Sequence, residues 1–252
     1  MNGDNSARVA EISAALDSVR SRLAAACVAA GRPVSEVTLL PVTKFFPASD
    51  ARILYDLGCR EFGESREQEA IGKVAEFTAA AVGGGIDGAD PVRWHMIGQL
   101  QRNKARSVAK WAYAIHSVDS ARLADALDRA AQGALSSGDR TAPLRVLIQV
   151  SLDADPTRGG IALDELPALA ERIETADGLE LAGLMAVPPL GSDADEQFAR
   201  LHEVHQRVLE SHPRAVELSA GMTGDLEAAV RHGSTCVRVG TALLGSRPVI
   251  SK

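Results

Sequence analysis

The strongest constraint in this sequence is an alternation. From residue 37 onward, short β-branched runs are each followed by a longer amphipathic stretch. The runs at 37–43, 61–63, 94–98, 114–118, 146–151, 181–187, 216–219 and 236–240 read as strands, about eight in all. Helical periodicity follows at 50–57, 66–77, 103–111, 121–135, 163–175, 196–210 and 225–231. Continuous apolar runs such as Val-Leu-Ile-Gln-Val suit a parallel sheet covered on both faces. Eight such units are what a closed (β/α)8 barrel needs, and such barrels use roughly 250 residues as one domain. An open doubly wound sheet would also fit the alternation. However, no GxGxxG or GxxxxGK[ST] follows any strand, which removes the usual nucleotide reading of that fold. The expectation is an α/β chain forming a TIM barrel as a single domain over 1–252, with an extra N-terminal helix. That helix, over 6–30, places Val9, Ile12, Leu16, Val19, Leu23 and Cys27 at helical spacing, and Gly31 and Pro33 end it.

Composition narrows the function classes. The chain is 46% apolar and 24% charged, enough to bury a full core. Its 27 basic and 33 acidic residues leave a net charge of −6, with no general attraction for nucleic acid or an anionic membrane. The polar N-terminus lacks the apolar stretch of a secretory signal, and no apolar run approaches the roughly 20 residues that span a bilayer. Cys27, Cys59 and Cys236 form no CxxC pair, so neither a disulfide framework nor a zinc site is expected. Buried free thiols in a cytoplasmic protein are the expectation. The glycine-rich stretch 83–88 reads as a surface loop.

Polar residues and glycines fall where barrels build their sites, at the C-terminal ends of strands. Lys44 closes the first run in Pro-Val-Thr-Lys-Phe-Phe-Pro. A lysine desolvated there would be a nucleophilic amine able to form a Schiff base. On local sequence alone, a solvated lysine at a strand end is the commoner case. Ser219, Gly221, Thr223 and Asp225 follow the seventh run, and Arg238, Gly240 and Thr241 the eighth. Small residues and hydroxyls leading into helices suit an anion, and in barrels these last loops frequently hold phosphate. Capping and tight turns would explain either segment alone. His202, His205 and His212 read as surface histidines, because no carboxylate is spaced to share a metal with them. His95 and His116 could contact a ligand or serve as core histidines. Asn103, Lys104, Arg106 and Lys110 read as a solvated basic face.

With these residues in place, the sequence resembles the pyridoxal phosphate homeostasis protein family, single-domain relatives of the N-terminal barrel of alanine racemase. The resemblance runs from Val37 to Arg247. It is carried by PVTKFFP, REFGESREQE, RWHMIGQLQRNK, IHSVDS, GLMAVP, LSAGMTGDLEAAVRHGSTCVRVGTALLG and the closing Arg247. It implies pyridoxal 5'-phosphate (PLP) as cofactor, held as a covalent aldimine on Lys44. Ser219, Thr223, Gly240 and Thr241 would hold the phosphate, Ser65 would lie at the cofactor ring, and Arg238 at the pyridine nitrogen. Ser65 stands where the family commonly has Asn, and Thr223 where it usually has Ser. An Arg at the ring nitrogen disfavours ring protonation and weakens the cofactor as an electron sink. The second proton donor of racemases of this type is a Tyr from a C-terminal β-domain, for which a chain stopping at Lys252 has no room. Its two tyrosines, Tyr55 and Tyr113, fall on a helix and at a strand's start. The implied function is a PLP carrier or regulator, with PLP-dependent apoenzymes as partners and no turnover of its own. Without the β-domain's dimer contact, a monomer is expected. An amino-acid racemase and a Schiff-base aldolase are the competing readings.

Overall fold

The computed structural model describes residues 2–83, 91–153 and 159–246. Positions 84–88 of the glycine-rich stretch and Arg247 lie outside the described residues. The strands are β1 (Thr38–Pro41), β2 (Glu61–Glu64), β3 (Arg93–Met96), β4 (Ala114–Val118), β5 (Leu144–Gln149), β6 (Leu179–Met185), β7 (Glu217–Ser219) and β8 (Cys236–Val239). The helices are α1 (Asn2–Ala29), α2 (Ala48–Asp56), α3 (Glu67–Val82), α4 (Ala105–Trp111), α5 (Ala121–Ser137), α6 (Leu166–Glu174), α7 (Ala194–Ser211), α8 (Leu226–Arg231) and α9 (Thr241–Leu244). All eight strands run parallel in the order β1-β8-β7-β6-β5-β4-β3-β2. A parallel bridge between Val42 and Gly63 joins the two ends, with Thr43 N–H donating to Gly63 O at 3.0 Å. The sheet is a (β/α)8 barrel, as the alternation predicts.

Several apolar runs outlast their ladders at the C-terminal end. Thr43 and Gly240 follow the last paired residue of their strand directly, and Gly98 and Val187 lie two residues beyond theirs. Thr43 is buried, Gly98 and Gly240 are half-buried and Val187 is exposed, so these positions form the rim of the mouth. One glycine there is required sterically. A Cβ on Gly98 would sit 2.3 Å from the Ser65 carbonyl oxygen, so only glycine lets the β2 and β3 ends approach this closely.

Outward-facing strand residues pack beneath the helices. Phe62, Trp94 and Phe77 stack with centroids 5.3–6.1 Å apart between the sheet and α3. Ile115, Val146, Ile148 and Leu184 are fully buried under α4–α7. Each such side chain contributes about 1.5–3 kcal/mol. On α1, Ile12, Leu16, Val19, Leu23 and Cys27 are buried as predicted, whereas Val9 is 38% exposed. This helix packs against α2, α8 and α9 and reaches the mouth through two arginines. Arg22 pairs with Glu227 and donates to the Thr223 carbonyl at 2.6 Å, while Arg8 bonds Asp50 at 2.6 Å and the Leu244 carbonyl at 3.0 Å. The extra helix therefore braces the turns after β7 and β8 from outside.

Among the described residues, no helix is long and apolar enough to cross a membrane. All three cysteines are buried free thiols. Two histidines depart from the surface reading. His205 is buried on α7 and donates from Nε2 to the Ala215 carbonyl at 2.7 Å, and His212 is buried at the helix end. The apolar face of an amphipathic helix accepts a histidine when a carbonyl satisfies its N–H.

Candidate active site at the barrel mouth

The segment carrying Lys44 is held by charged groups. Lys73 of α3 is buried and donates to the Thr43 carbonyl at 2.6 Å and to Glu64 Oε1 at 2.5 Å. Thr43 Oγ1 donates to the same carboxylate at 2.5 Å. Glu64 is fully buried, and that burial pushes its carboxyl above the usual range against the pull of Lys73 and Thr43. On the other side of Lys44, the Phe45 N–H donates to Glu69 of α3 at 3.0 Å. Phe45 has φ 70°, the only positive φ at a non-glycine residue among those described. A side-chain-bearing residue there costs about 1–2 kcal/mol, so the turn is imposed by its surroundings. Lys44 itself is half-buried, with Nζ 5.8 Å from the Phe45 ring centroid.

The turns after β7 and β8 are held by backbone. Arg238 N–H donates to the Gly221 carbonyl at 2.9 Å, and the buried Ser234 hydroxyl lies against the Leu218, Ala220 and Cys236 carbonyls at 2.7–3.2 Å. Gly221 has φ +91°, and a Cβ there would meet the Ala229 Cβ at 2.5 Å. At Gly240 a Cβ would come within 3.3 Å of the Val42 carbonyl oxygen. Thr241 opens α9, so its N–H lies in a first turn that lacks intrahelical acceptors. Thr223 is half-buried and Thr241 exposed.

Between these turns, Arg238 is buried inside the barrel. Its Nη1 donates to Ser219 Oγ at 2.6 Å and its Nη2 to the Ala186 carbonyl at 2.9 Å. Among the described residues no carboxylate lies within ion-pair distance of this guanidinium. Burial pulls its pKa below the usual arginine value. An uncompensated buried cation is costly, so the site has a standing demand for negative charge or for an acceptor.

The register brings most of the predicted residues together. β8 lies between β1 and β7, pairing Leu40 with Arg238 and Ser219 with Cys236. Lys44 therefore emerges beside Gly240 and Thr241, and the Val42–Gly63 bridge puts Ser65 on its other flank. Thr223 follows on the β7 side. Ser219 is placed differently from the rest. Its fully buried hydroxyl points into the barrel, between Arg238 and His116. Tyr55 is buried on α2 beside Phe77, and Tyr113 lies at the opposite end of the barrel against Arg93, so neither is at the mouth. In the basic segment 103–110, Lys104 pairs with Glu67 at 3.2 Å and Lys110 with Asp139 at 2.9 Å. No group of three or more His, Cys, Asp or Glu able to hold a metal occurs among the described residues.

Sequence reasoning places Glu64 at the end of the second strand but misses Glu69 and Lys73. Glu69 and Lys73 are spaced i, i+4 on a helix, a pattern that most often marks an exposed ion pair. Nothing in that spacing shows that both reach the chain on either side of Lys44.

The model of the alanine racemase N-terminal domain family matches residues 15–248. A pyridoxal phosphate homeostasis protein of Mycobacterium tuberculosis (strain ATCC 25618 / H37Rv) is 54% identical over 246 residues, which cover 95% of this chain and 94% of that protein. The chain belongs to the pyridoxal phosphate homeostasis proteins within that barrel family. Among solved structures, an unknown protein from Bifidobacterium adolescentis superposes with a TM-score of 0.82 at 35% identity, covering 94% of this chain and 96% of that one. PipY of Synechococcus elongatus PCC7942, with PLP bound, gives a TM-score of 0.74 at 36% identity, covering 93% and 100%.

Proposed function

We propose that the mouth binds pyridoxal 5'-phosphate, held covalently through Lys44, and that the chain takes part in PLP homeostasis without a turnover reaction of its own. The observation that carries this reading is the buried, carboxylate-free Arg238 flanked by a half-buried lysine and two glycine turns. The residues fit the group. A guanidinium can donate to a pyridine nitrogen, an amine can condense with an aldehyde, and the Gly240–Thr241 and Thr223 turns offer backbone N–H groups and hydroxyls to a phosphate. When bound, the cofactor supplies an electrophilic aldehyde. In this reading Ser65 borders its ring, and Ser219 serves by holding Arg238 from below. The family membership and the PLP-bound relative support the assignment.

The absence of turnover rests on two features. An Arg beside the ring nitrogen keeps that nitrogen unprotonated. Both tyrosines are remote from the mouth, which leaves no tyrosine to act as a second acid on the opposite face. The same reading treats 1–252 as a single cytoplasmic domain that passes cofactor to PLP-dependent apoenzymes. It treats the chain as a monomer, because barrel closure leaves no strand edge to pair with a copy. Sedimentation at the monomer mass of 26.5 kDa checks that last point.

The decisive experiment is the visible spectrum of the PLP-loaded protein before and after borohydride. Wild type should show an imine band and retain cofactor covalently after reduction, and Lys44→Ala should do neither. Covalent retention by the variant at wild-type yield would move the role to another lysine. Loaded protein given L-alanine should form no D-alanine beyond a free-PLP control. Sustained Lys44-dependent racemization would make the chain an enzyme. Pyridoxal without its phosphate should bind at least about a hundredfold more weakly, roughly 2.7 kcal/mol, if the late turns hold the phosphate.

A further inference from the structure

A chain of buried polar side chains leads from Arg238 to the far end of the barrel, and ligand binding at the mouth does not account for it. Ser219 Oγ accepts from Arg238 Nη1 at 2.6 Å and lies 2.9 Å from His116 Nδ1. His116 Nε2 lies 2.9 Å from His95 Nδ1, and His95 Nε2 lies 3.3 Å from Glu61 Oε2. His95, His116, Ser219 and Arg238 are all more than nine-tenths buried. His95 Nε2 makes no hydrogen bond among the described residues; the Glu61 carboxylate, at 3.3 Å, is within ion-pair range of it and orients the end of the chain by charge. Glu61 borders a cavity of about 260 Å³ at the N-terminal end of the barrel, opposite the mouth.

With both imidazoles neutral, donor and acceptor rules leave one arrangement. The Glu61 carboxylate favours a proton on the nitrogen that faces it, so His95 carries its proton on Nε2 and accepts at Nδ1. His116 must then donate from Nε2 and accept at Nδ1. Its Nδ1 takes the Ser219 hydroxyl proton, and the guanidinium, which only donates, uses a lone pair of the same oxygen. Every donor points from Arg238 toward Glu61. The reverse direction requires an imidazolium at His95. Burial, with His95 and Arg238 nearby, holds His116 well below the ordinary histidine pKa and so keeps it neutral.

We propose that His95, His116 and Ser219 are positioning residues, a one-way hydrogen-bond chain, oriented at its far end by the Glu61 carboxylate, that fixes the guanidinium of buried Arg238 for the pyridine nitrogen of the cofactor. The choice of target rests on the cofactor reading above; the chain itself does not. Other ionisable groups face it. Arg93 pairs with Glu61 at 2.9 Å, and Arg145 bridges Glu180 and Glu217 at 2.5 Å each. Tyr113 packs 5.3 Å from the His95 ring, Glu36 and Cys236 line the cavity, and Asp225 acts on Arg238 through space. None of these stands between His95 and Arg238 in the bonded sequence.

Long-range 1H–15N correlation spectra of the cofactor-free protein at pH 8 test the chain directly. Both His95 and His116 should be neutral with the proton on Nε2. An Nδ1–H tautomer or an imidazolium at either ring overturns it. The second arm compares affinity for PLP with affinity for its carbocyclic counterpart, in which C–H replaces the ring nitrogen. His116→Phe should weaken PLP by about tenfold or more and shift its visible band, while leaving the carbocyclic ligand within about twofold. His116→Gln, which offers both a donor and an acceptor, should recover part of the loss. Ser219→Ala should repeat the pattern and serves in place of His116→Phe if that variant does not fold. Equal weakening of both ligands overturns the positioning role. If wild type binds neither ligand, the cofactor reading and Arg238's target both fall, while the tautomers still decide the chain.

Discussion

Two halves of the same mouth are fixed by different physics. The β1 end is clamped by buried charge, with Lys73, Glu64 and Glu69 gripping the peptides on either side of Lys44. The β7 and β8 ends are shaped by backbone, with Gly221 and Gly240 in close contacts and the Ser234 hydroxyl donating to the Ala220 carbonyl at 2.7 Å. A charged clamp can hold a non-glycine residue such as Phe45 at positive φ, because ion-paired hydrogen bonds are strong enough to outweigh that strain. A backbone cradle needs no such force, but it tolerates no added atom. The Lys44 amine is thus presented by the half that is sensitive to charge, and the late glycine turns by the half that is sensitive to volume.

The largest effect should come from breaking the clamp. Lys73→Met leaves Glu64 a buried, unpaired carboxylate and should cost about 3–5 kcal/mol in urea denaturation. Adding Glu64→Gln, which removes the stranded charge, should restore much of that loss. If Lys73→Met were neutral, the clamp would be no more than a surface pair. On the cradle side, Gly221→Ala should cost about 2–4 kcal/mol from positive φ and overlap with Ala229 together. Ala229→Gly in that background should relieve the overlap and leave the φ strain.

A smaller effect sharpens the contrast between buried histidines and the clamp. Burial lowers the pKa of both His116 and His205. The unfolded chain therefore takes up protons near pH ~6.5, before the native state does. Stability should be full above that pH and fall as pH drops below it, by up to about 1.4 kcal/mol per histidine at pH 5.5, levelling off below the native pKa. Urea midpoints at pH 7.5 and 5.5 read this directly, and His205→Asn should reduce the difference. The smallest expected signal is at Cys236, beneath the cradle, where burial pushes the thiol up to about 12. Native protein at pH 8 should leave it unlabelled by a thiol reagent, whereas denatured chain should label at all three cysteines.

The alternation of apolar runs and amphipathic stretches determined the barrel, because in a parallel (β/α) unit local periodicity and global topology demand the same pattern. The first helix was legible for the same reason, as were the late glycine turns and the lysine after the first strand. The sequence could not show which polar side chains face inward. Both faces of these strands are buried, so Glu61, His95 and Ser219 carry no alternation that separates a relay residue from a ligand contact. Ser219 shows the consequence most plainly. As a sequence position it is one hydroxyl in an anion-suited turn, yet its partners His116 and Arg238 lie 103 and 19 residues away, and they claim its oxygen inside the barrel. Only closure and strand register decide such pairings, because they join residues whose separation along the chain carries no periodic signal.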